Sequence, residues 1–124
     1  MTLEKPLIDR PDGPAPAELE ITDVTVGDGA EATAGKTVTV HYVGVAHSTG
    51  EEFDASWNRG EPLRLRLGVG QVIAGWDQGL QGMRVGGRRK IVIPPHLGYG
   101  DRGAGSAIKG GETLIFVVDL VDVR

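Results

Sequence analysis

From Leu19 to Val123 the apolar residues fall mostly on every second position, and a single short stretch breaks that rhythm. A period of two is the mark of strands with one buried face. In Thr37-Val38-Thr39-Val40-His41-Tyr42-Val43 the residues Val38, Val40 and Tyr42 share a face, with β-branched residues throughout. Leu63, Leu65 and Leu67 alternate with Arg64 and Arg66. Ile91-Val92-Ile93 reads as a short buried strand stopped by Pro94-Pro95. From Thr113 to Val123 one face carries Leu114, Phe116, Val118 and Leu120 and the other Ile115 and Val117, so both sides of this strand should be covered. Leu19, Ile21 and Val24 suggest a first strand, ended by the turn signal Gly27-Asp28-Gly29.

The exception is Ile73, Trp76, Leu80 and Met83, which step by three, four and three and so form one stripe of a helix. Gly75 and Gly79 lie four apart on a neighbouring face. Each glycine costs a helix about 1 kcal/mol, and so short a helix is not stable alone in water. It has to be held by packing onto a sheet. Many antiparallel strands and one short helix make an α+β fold, with the helix laid across the sheet.

The 124 residues suit one domain. Four of the seven prolines (Pro6, Pro11, Pro14, Pro16) lie near the start, among Asp9, Asp12 and Gly13. Residues 1–18 are therefore expected to be an extended or mobile arm rather than a packed element, with the domain proper spanning 19–124. Thirteen basic against seventeen acidic side chains give a net charge of -4, which speaks against a general nucleic-acid binder. With no cysteine, thiol catalysis, disulfides and zinc–cysteine sites are excluded. The first residues hold no apolar leader and no run is long enough to span a bilayer, so a cytoplasmic protein is expected.

The glycines invite phosphate-loop readings that fail. Gly68-Val69-Gly70-Gln71-Val72-Ile73 has Ile where the dinucleotide motif needs its third glycine, and Gly82 to Gly87 is followed by Arg88-Arg89 rather than Lys-Ser/Thr. Gly86-Gly87 reads better as a hairpin turn before a strand. His41, His47 and His96 show no ligand spacing, and Ser48, Ser56 and Ser106 lie in no nucleophile elbow. Glu51-Glu52 reads as a solvated hairpin tip, and Arg88-Arg89-Lys90 as a strand start facing water. No metal and no cofactor is called for.

What remains is a scatter of large side chains beside polar groups at strand ends: Tyr42, Phe53-Asp54, Val72-Ile73, Trp76, Tyr99 and Phe116. Singly, each suits an ordinary core. Together, Val40-His41-Tyr42-Val43-Gly44, Glu52-Phe53-Asp54-Ala55-Ser56, Leu67 to Asp77, Gly98-Tyr99-Gly100 and Thr113-Leu114-Ile115-Phe116 resemble the FKBP family, the macrolide-binding immunophilins, in order and spacing. The resemblance runs from about Leu19 to Val123 and is closest to the short, stand-alone bacterial members.

The resemblance implies a sheet of five or six antiparallel strands wrapped around one short helix, and peptidyl-prolyl cis-trans isomerase activity. It places Trp76 at the floor of a prolyl pocket and Tyr42, Phe53, Val72, Ile73 and Phe116 on its walls. Tyr99 would offer its hydroxyl, and Ile73 its N–H, to the carbonyls flanking the proline. Asp54 would sit at the rim, paired with Arg59 near the Tyr42 hydroxyl, and Ile108 would close the pocket from the following loop. Leu63 stands where many members carry an aromatic residue. The loop from Asp101 to Gly111 lacks the proline pair of the better-known eukaryotic members, so it should be more flexible. The implied partners are proline-containing peptides, folding proteins and macrolide inhibitors, with no nucleic acid, no membrane and a monomeric state. The alternative reading is a module that holds proline segments with incidental turnover; a holdase would call for an exposed apolar patch or an extra domain, and the sequence offers neither.

Overall fold

The computed structural model describes residues 4–8, 13–105 and 107–124. Its strands are β1 (Glu20–Thr25), β2 (Thr37–Ala46), β3 (Glu52–Ala55), β4 (Leu63–Arg66), β5 (Arg88–Ile93) and β6 (Leu114–Val123), and its α-helix is α1 (Ala74–Gly79). The two segments with the longest apolar alternation became the two ten-residue strands, β2 and β6, which pair from Val38↔Val123 to Ala46↔Leu114. All pairings are antiparallel, in the order β1-β5-β6-β2-β3, with β4 also on β2. The outer edge of β2 is thus shared: β4 takes Thr37 to Val40 and β3 takes Val43 to Val45.

Alternation sorts the side chains onto two faces. One face carries Val38, Val40, Tyr42, Ile91, Ile93, Leu114, Phe116 and Val118, and the helix residues Trp76 and Leu80 bury against it. The other carries a smaller cluster of Val43, Val45, Ala55, Val92 and Ile115, with Trp57 and Ile8 packed on it. Both faces of β6 are covered, as its twofold apolar pattern requires.

The helix is shorter than its stripe. It ends at Gly79, and Met83 is buried in the turn beyond, where Gly82 adopts a φ of 90° and its N–H donates to the Ala32 carbonyl. Gly75 and Gly79 have a contact role: a Cβ at Gly75 would lie 2.5 Å from Ile93 Cγ2, and one at Gly79 2.9 Å from Ile91 Cδ1. The bare strip lets the helix backbone rest on β5.

Three expectations are corrected. Arg89 does not face water: it is buried, and its guanidinium donates to the carbonyls of Gly79 (2.9 Å) and Gln81 (3.0 Å) and to Asp23 (2.7 Å). Alternation puts it on the same face as Ile91, where the end of α1 presents carbonyls with no helical partner. Gly86-Gly87 closes a turn, with the Gly87 N–H on the Arg84 carbonyl (2.9 Å), but the turn makes no hairpin: Arg84 bridges to Glu31, while β5 pairs with β1 and β6. Glu52 is not merely solvated, since it pairs with Lys5 (2.9 Å) and accepts from Asn58 (2.8 Å). Residues 4–8, within the stretch expected to be extended or mobile, touch the sheet through Lys5, through Ile8 on the smaller cluster, and through the Glu4 carbonyl on Arg88 (2.7 Å). Among the described residues no helix is long and apolar enough to cross a membrane.

Overpacking a core costs about 1–3 kcal/mol, whereas replacing a helical glycine by alanine gains about 1 kcal/mol. Because Ile93 is fully buried and cannot retreat, Gly75→Ala is expected to lower stability by up to about 2 kcal/mol. Urea unfolding measures the change, and adding Ile93→Val is expected to recover part of it.

Candidate functional site

The chain has two tryptophans, two tyrosines and two phenylalanines, and all but Trp57 line one hollow of about 410 Å³. Its other lining residues are Asp54, Leu63, Gln71, Val72 and Ile73. The rings meet edge to face. Trp76 stands at 81° to Tyr42 with centroids 5.0 Å apart and at 86° to Phe116 at 5.3 Å, and Phe53 stands at 89° to Phe116 at 5.5 Å. Such contacts favour the positive ring edge over the negative face and fix ring orientation beyond what area burial alone would do.

Each ring is placed by a different element. Trp76 comes from α1, pressed onto β5 through its glycines. Tyr42 and Phe116 come from the central strands, where Gly44 faces Phe116 in register. A Cβ at Gly44 would lie 2.6 Å from Phe53 Cζ and 2.7 Å from Phe116 Cε1, so only glycine lets these two rings meet. Val72 and Ile73 enter on the loop between β4 and α1. That loop is tied down by Asp77, whose carboxylate accepts from the N–H groups of Gly68 (2.8 Å) and Gly70 (3.0 Å). Tyr99 sits on the rim, 39% exposed, after the turn at Pro95–Leu97.

At the rim the polar groups form a closed ring. The Tyr42 hydroxyl donates to Asp54 Oδ2 (2.5 Å) and accepts from Arg59 Nη2 (2.7 Å), while Arg59 Nη1 donates to Asp54 Oδ1 (2.8 Å). Arg59 also lies 5.6 Å from the Tyr42 ring centre. Asp54 and Arg59 are nearly half exposed, so this ion pair adds little to stability. Its effect is to orient the Tyr42 ring. Behind Tyr42, its backbone N–H donates to the buried Ser56 Oγ (2.8 Å), which also contacts His41 Nδ1 (2.9 Å). His41 stacks on Trp57 at 4.3 Å on the opposite face.

Of the residues expected at the site, Tyr42, Phe53, Asp54, Leu63, Val72, Ile73, Trp76, Tyr99 and Phe116 share the hollow. Arg59 stands outside the lining and reaches it through Tyr42 and Asp54. Ile108 is also outside the lining: it is buried in the main core, bridged to Ala104. Gln71, which does line the hollow, was missed. Its side chain accepts from the Arg66 N–H (2.8 Å), and the only signal for it in the sequence is its place beside Val72-Ile73. No group of three His, Cys, Asp or Glu is placed to hold a metal among the described residues.

A family model described as FKBP-type peptidyl-prolyl cis-trans isomerase matches residues 29–121. An FK506-binding protein of Streptomyces anulatus is 68% identical over 99% of this chain and 100% of its own length. A probable FK506-binding protein of Corynebacterium glutamicum is 52% identical over 96% of this chain and 98% of its own. Among solved structures, AtFKBP13 superimposes with a TM-score of 0.80 at 42% identity, covering 89% of this chain and 96% of that one. FkpA from Escherichia coli gives 0.78, also at 42% identity, over 86% of this chain and 48% of its own. The chain belongs to the FKBP-type peptidyl-prolyl cis-trans isomerases, and its fold is theirs. It is an isomerase of X-Pro peptide bonds.

Burial pushes the Tyr42 hydroxyl above its ordinary pKa, and its bond to Asp54 adds to this while Arg59 opposes it. A raised folded pKa means that the unfolded chain loses this proton first. The stabilisation is therefore complete below the ordinary tyrosine value of about 10 and is lost as pH rises through the folded value. Thermal unfolding followed from pH 9 to 11 is expected to show a decline that is shallower in Tyr42→Phe.

Proposed function

We propose that this hollow grips the prolyl ring of a polypeptide and speeds rotation about the preceding amide without covalent chemistry. The observation that carries the reading is the gathering of every aromatic residue but Trp57 around one open cavity, with the only carboxylate in the lining already engaged by Tyr42 and Arg59. Such a site is built to hold an apolar ring.

Rotation about X-Pro must overcome ~18–20 kcal/mol, whereas the two isomers differ by only about 0.5–1 kcal/mol. The difficulty is rate. The planar amide is stabilised by resonance, which separates charge between oxygen and nitrogen and is best solvated by water. At the twisted transition state that resonance and much of that charge separation are lost. An apolar, water-poor hollow therefore raises the planar form more than the twisted one, a difference in binding between ground and transition states. In this reading Trp76 seats the ring, and Tyr42, Phe53, Val72 and Phe116 confine it. The Tyr99 hydroxyl and the Ile73 N–H hold the flanking carbonyls, so that one side of the bond is fixed while the other turns. Leu63 and Gln71 complete the rim. Lowering the barrier by about 5 kcal/mol would give nearly four decades in rate.

The same hollow is proposed to take macrolides such as FK506, named for the similar proteins, by seating a pipecolyl-like ring where proline binds. Cellular substrates would be proline-containing segments of folding proteins. Phe53→Ala and Asp54→Val are each expected to lower kcat/KM on a proline tetrapeptide at least tenfold, and FK506 to inhibit the wild type competitively. A protease-free isomerisation assay measures both. Undiminished activity in these variants would refute the assignment.

A further inference from the structure

Two residues of the site, Phe53 and Asp54, ride on one of the two four-residue strands at the edge of the sheet. β3 has four residues, lies at an edge and pairs only with β2, through Val43↔Ala55, Gly44↔Asp54 and Val45↔Glu52, with its register broken between the last two. Short edge pairings of this kind are among the first to open. Residues outside the fold's strands bear on it from the opposite face.

The segment from Glu4 to Ile8 is held at three points. Its Glu4 carbonyl accepts from Arg88 Nη2 (2.7 Å), and Arg88 is itself clamped by the buried Asp119 through bonds of 2.7 and 3.1 Å. That end is moored to the sheet interior, because Arg88 and Asp119 are a β5–β6 register pair. At the second point Lys5 Nζ meets Glu52 Oε1 (2.9 Å) and Asn58 Oδ1 (3.0 Å), while Asn58 Nδ2 donates to Glu52 Oε2 (2.8 Å). Glu52 opens β3, and Asn58 lies in the 3-10 turn Ser56–Arg59 that follows it, so both ends of β3 are gripped. At the third point Ile8 packs on the cluster that includes Val43, Val45 and Ala55, the residues along which β2 and β3 meet.

We infer that Glu4–Ile8 is a strap that holds β3 and the following turn in register, and that Lys5 and Ile8 are thereby positioning residues for Phe53, Asp54 and Arg59. The inference rests on the prolyl-site reading for its catalytic consequence, though not for the strap itself. Neither residue reaches the hollow. Their action is on the strand that presents the site from behind.

The test uses the full chain, with Lys5→Ala, Ile8→Ala and the conservative Lys5→Arg. Hydrogen exchange across residues 52–59 and kcat/KM on a proline tetrapeptide are measured for each. Lys5→Ala is expected to speed exchange in that segment while leaving β1 and β5 unchanged. It should also lower kcat/KM two- to fivefold, the range set by a partly exposed ion pair, with Lys5→Arg restoring both. Ile8→Ala should act in the same direction. Unchanged exchange at 52–59 in Lys5→Ala and Ile8→Ala would overturn the strap whatever the activity, and so would a rise spread evenly over all strands. Loosened exchange at 52–59 with full activity in Lys5→Ala, while Phe53→Ala is inactive, would overturn the positioning role. Full activity in Phe53→Ala would instead overturn the prolyl-site reading.

Discussion

Everything in the site depends on how closely α1 lies against β5. The helix is six residues long, too short to hold itself, and it contributes the base of the hollow through Trp76. It is held because Gly75 and Gly79 bring its backbone onto Ile93 and Ile91, and because Arg89 supplies donors for carbonyls at its end. The apolar contact sets the depth of the indole. The buried guanidinium fixes the helix end, at the cost of desolvating a charge that Asp23 and the carbonyls together offset. From that depth follow the edge-to-face contacts to Tyr42 and Phe116, and through Phe116 the position of Phe53.

The strands were legible because alternation is a direct consequence of the pleat. Val38, Val40 and Tyr42, and Leu114, Phe116 and Val118, announced their common face without help from the rest of the chain. The helix was legible in kind but not in length, because the stripe continues to Met83 after the backbone has turned at Gly82. The burial of Arg89 was hidden, since nothing near it in sequence says that helix carbonyls will arrive beneath it. The contacts of Lys5 and Ile8 were hidden for a similar reason. A proline-rich composition predicts an extended backbone but is silent on what that backbone lies against.

The hollow was legible only as an ensemble. Each of Tyr42, Phe53, Trp76 and Phe116 looks like ordinary core in its own segment, and their convergence follows from long-range register. Ile108 shows one limit of sequence position as a guide to the lining: it is buried in the same cluster as Tyr42, Trp76 and Phe116, yet it is not among the residues that line the hollow. Gln71 shows the converse limit: a polar residue in a glycine-rich loop has no periodic signature, yet its neighbours Val72 and Ile73 bring it to the rim.

The divided edge of β2 has its own consequence. β4 ends its pairing at Val40 and β3 begins at Val43, so neither strand takes the Tyr42 N–H, and a serine side chain stands in for the missing ladder rung. The two short strands are therefore docked on β2 independently. The chain between them belongs to neither ladder: Ser56–Arg59 is a 3-10 turn held through Trp57, Asn58 and Arg59, whereas Gly60 to Pro62 are exposed. Substitutions confined to Gly60 to Pro62 therefore leave the hydrogen bonding of the sheet undisturbed. Because these residues link Arg59 to Leu63 beside the hollow, changes in them would alter what reaches the hollow without repacking the core behind it.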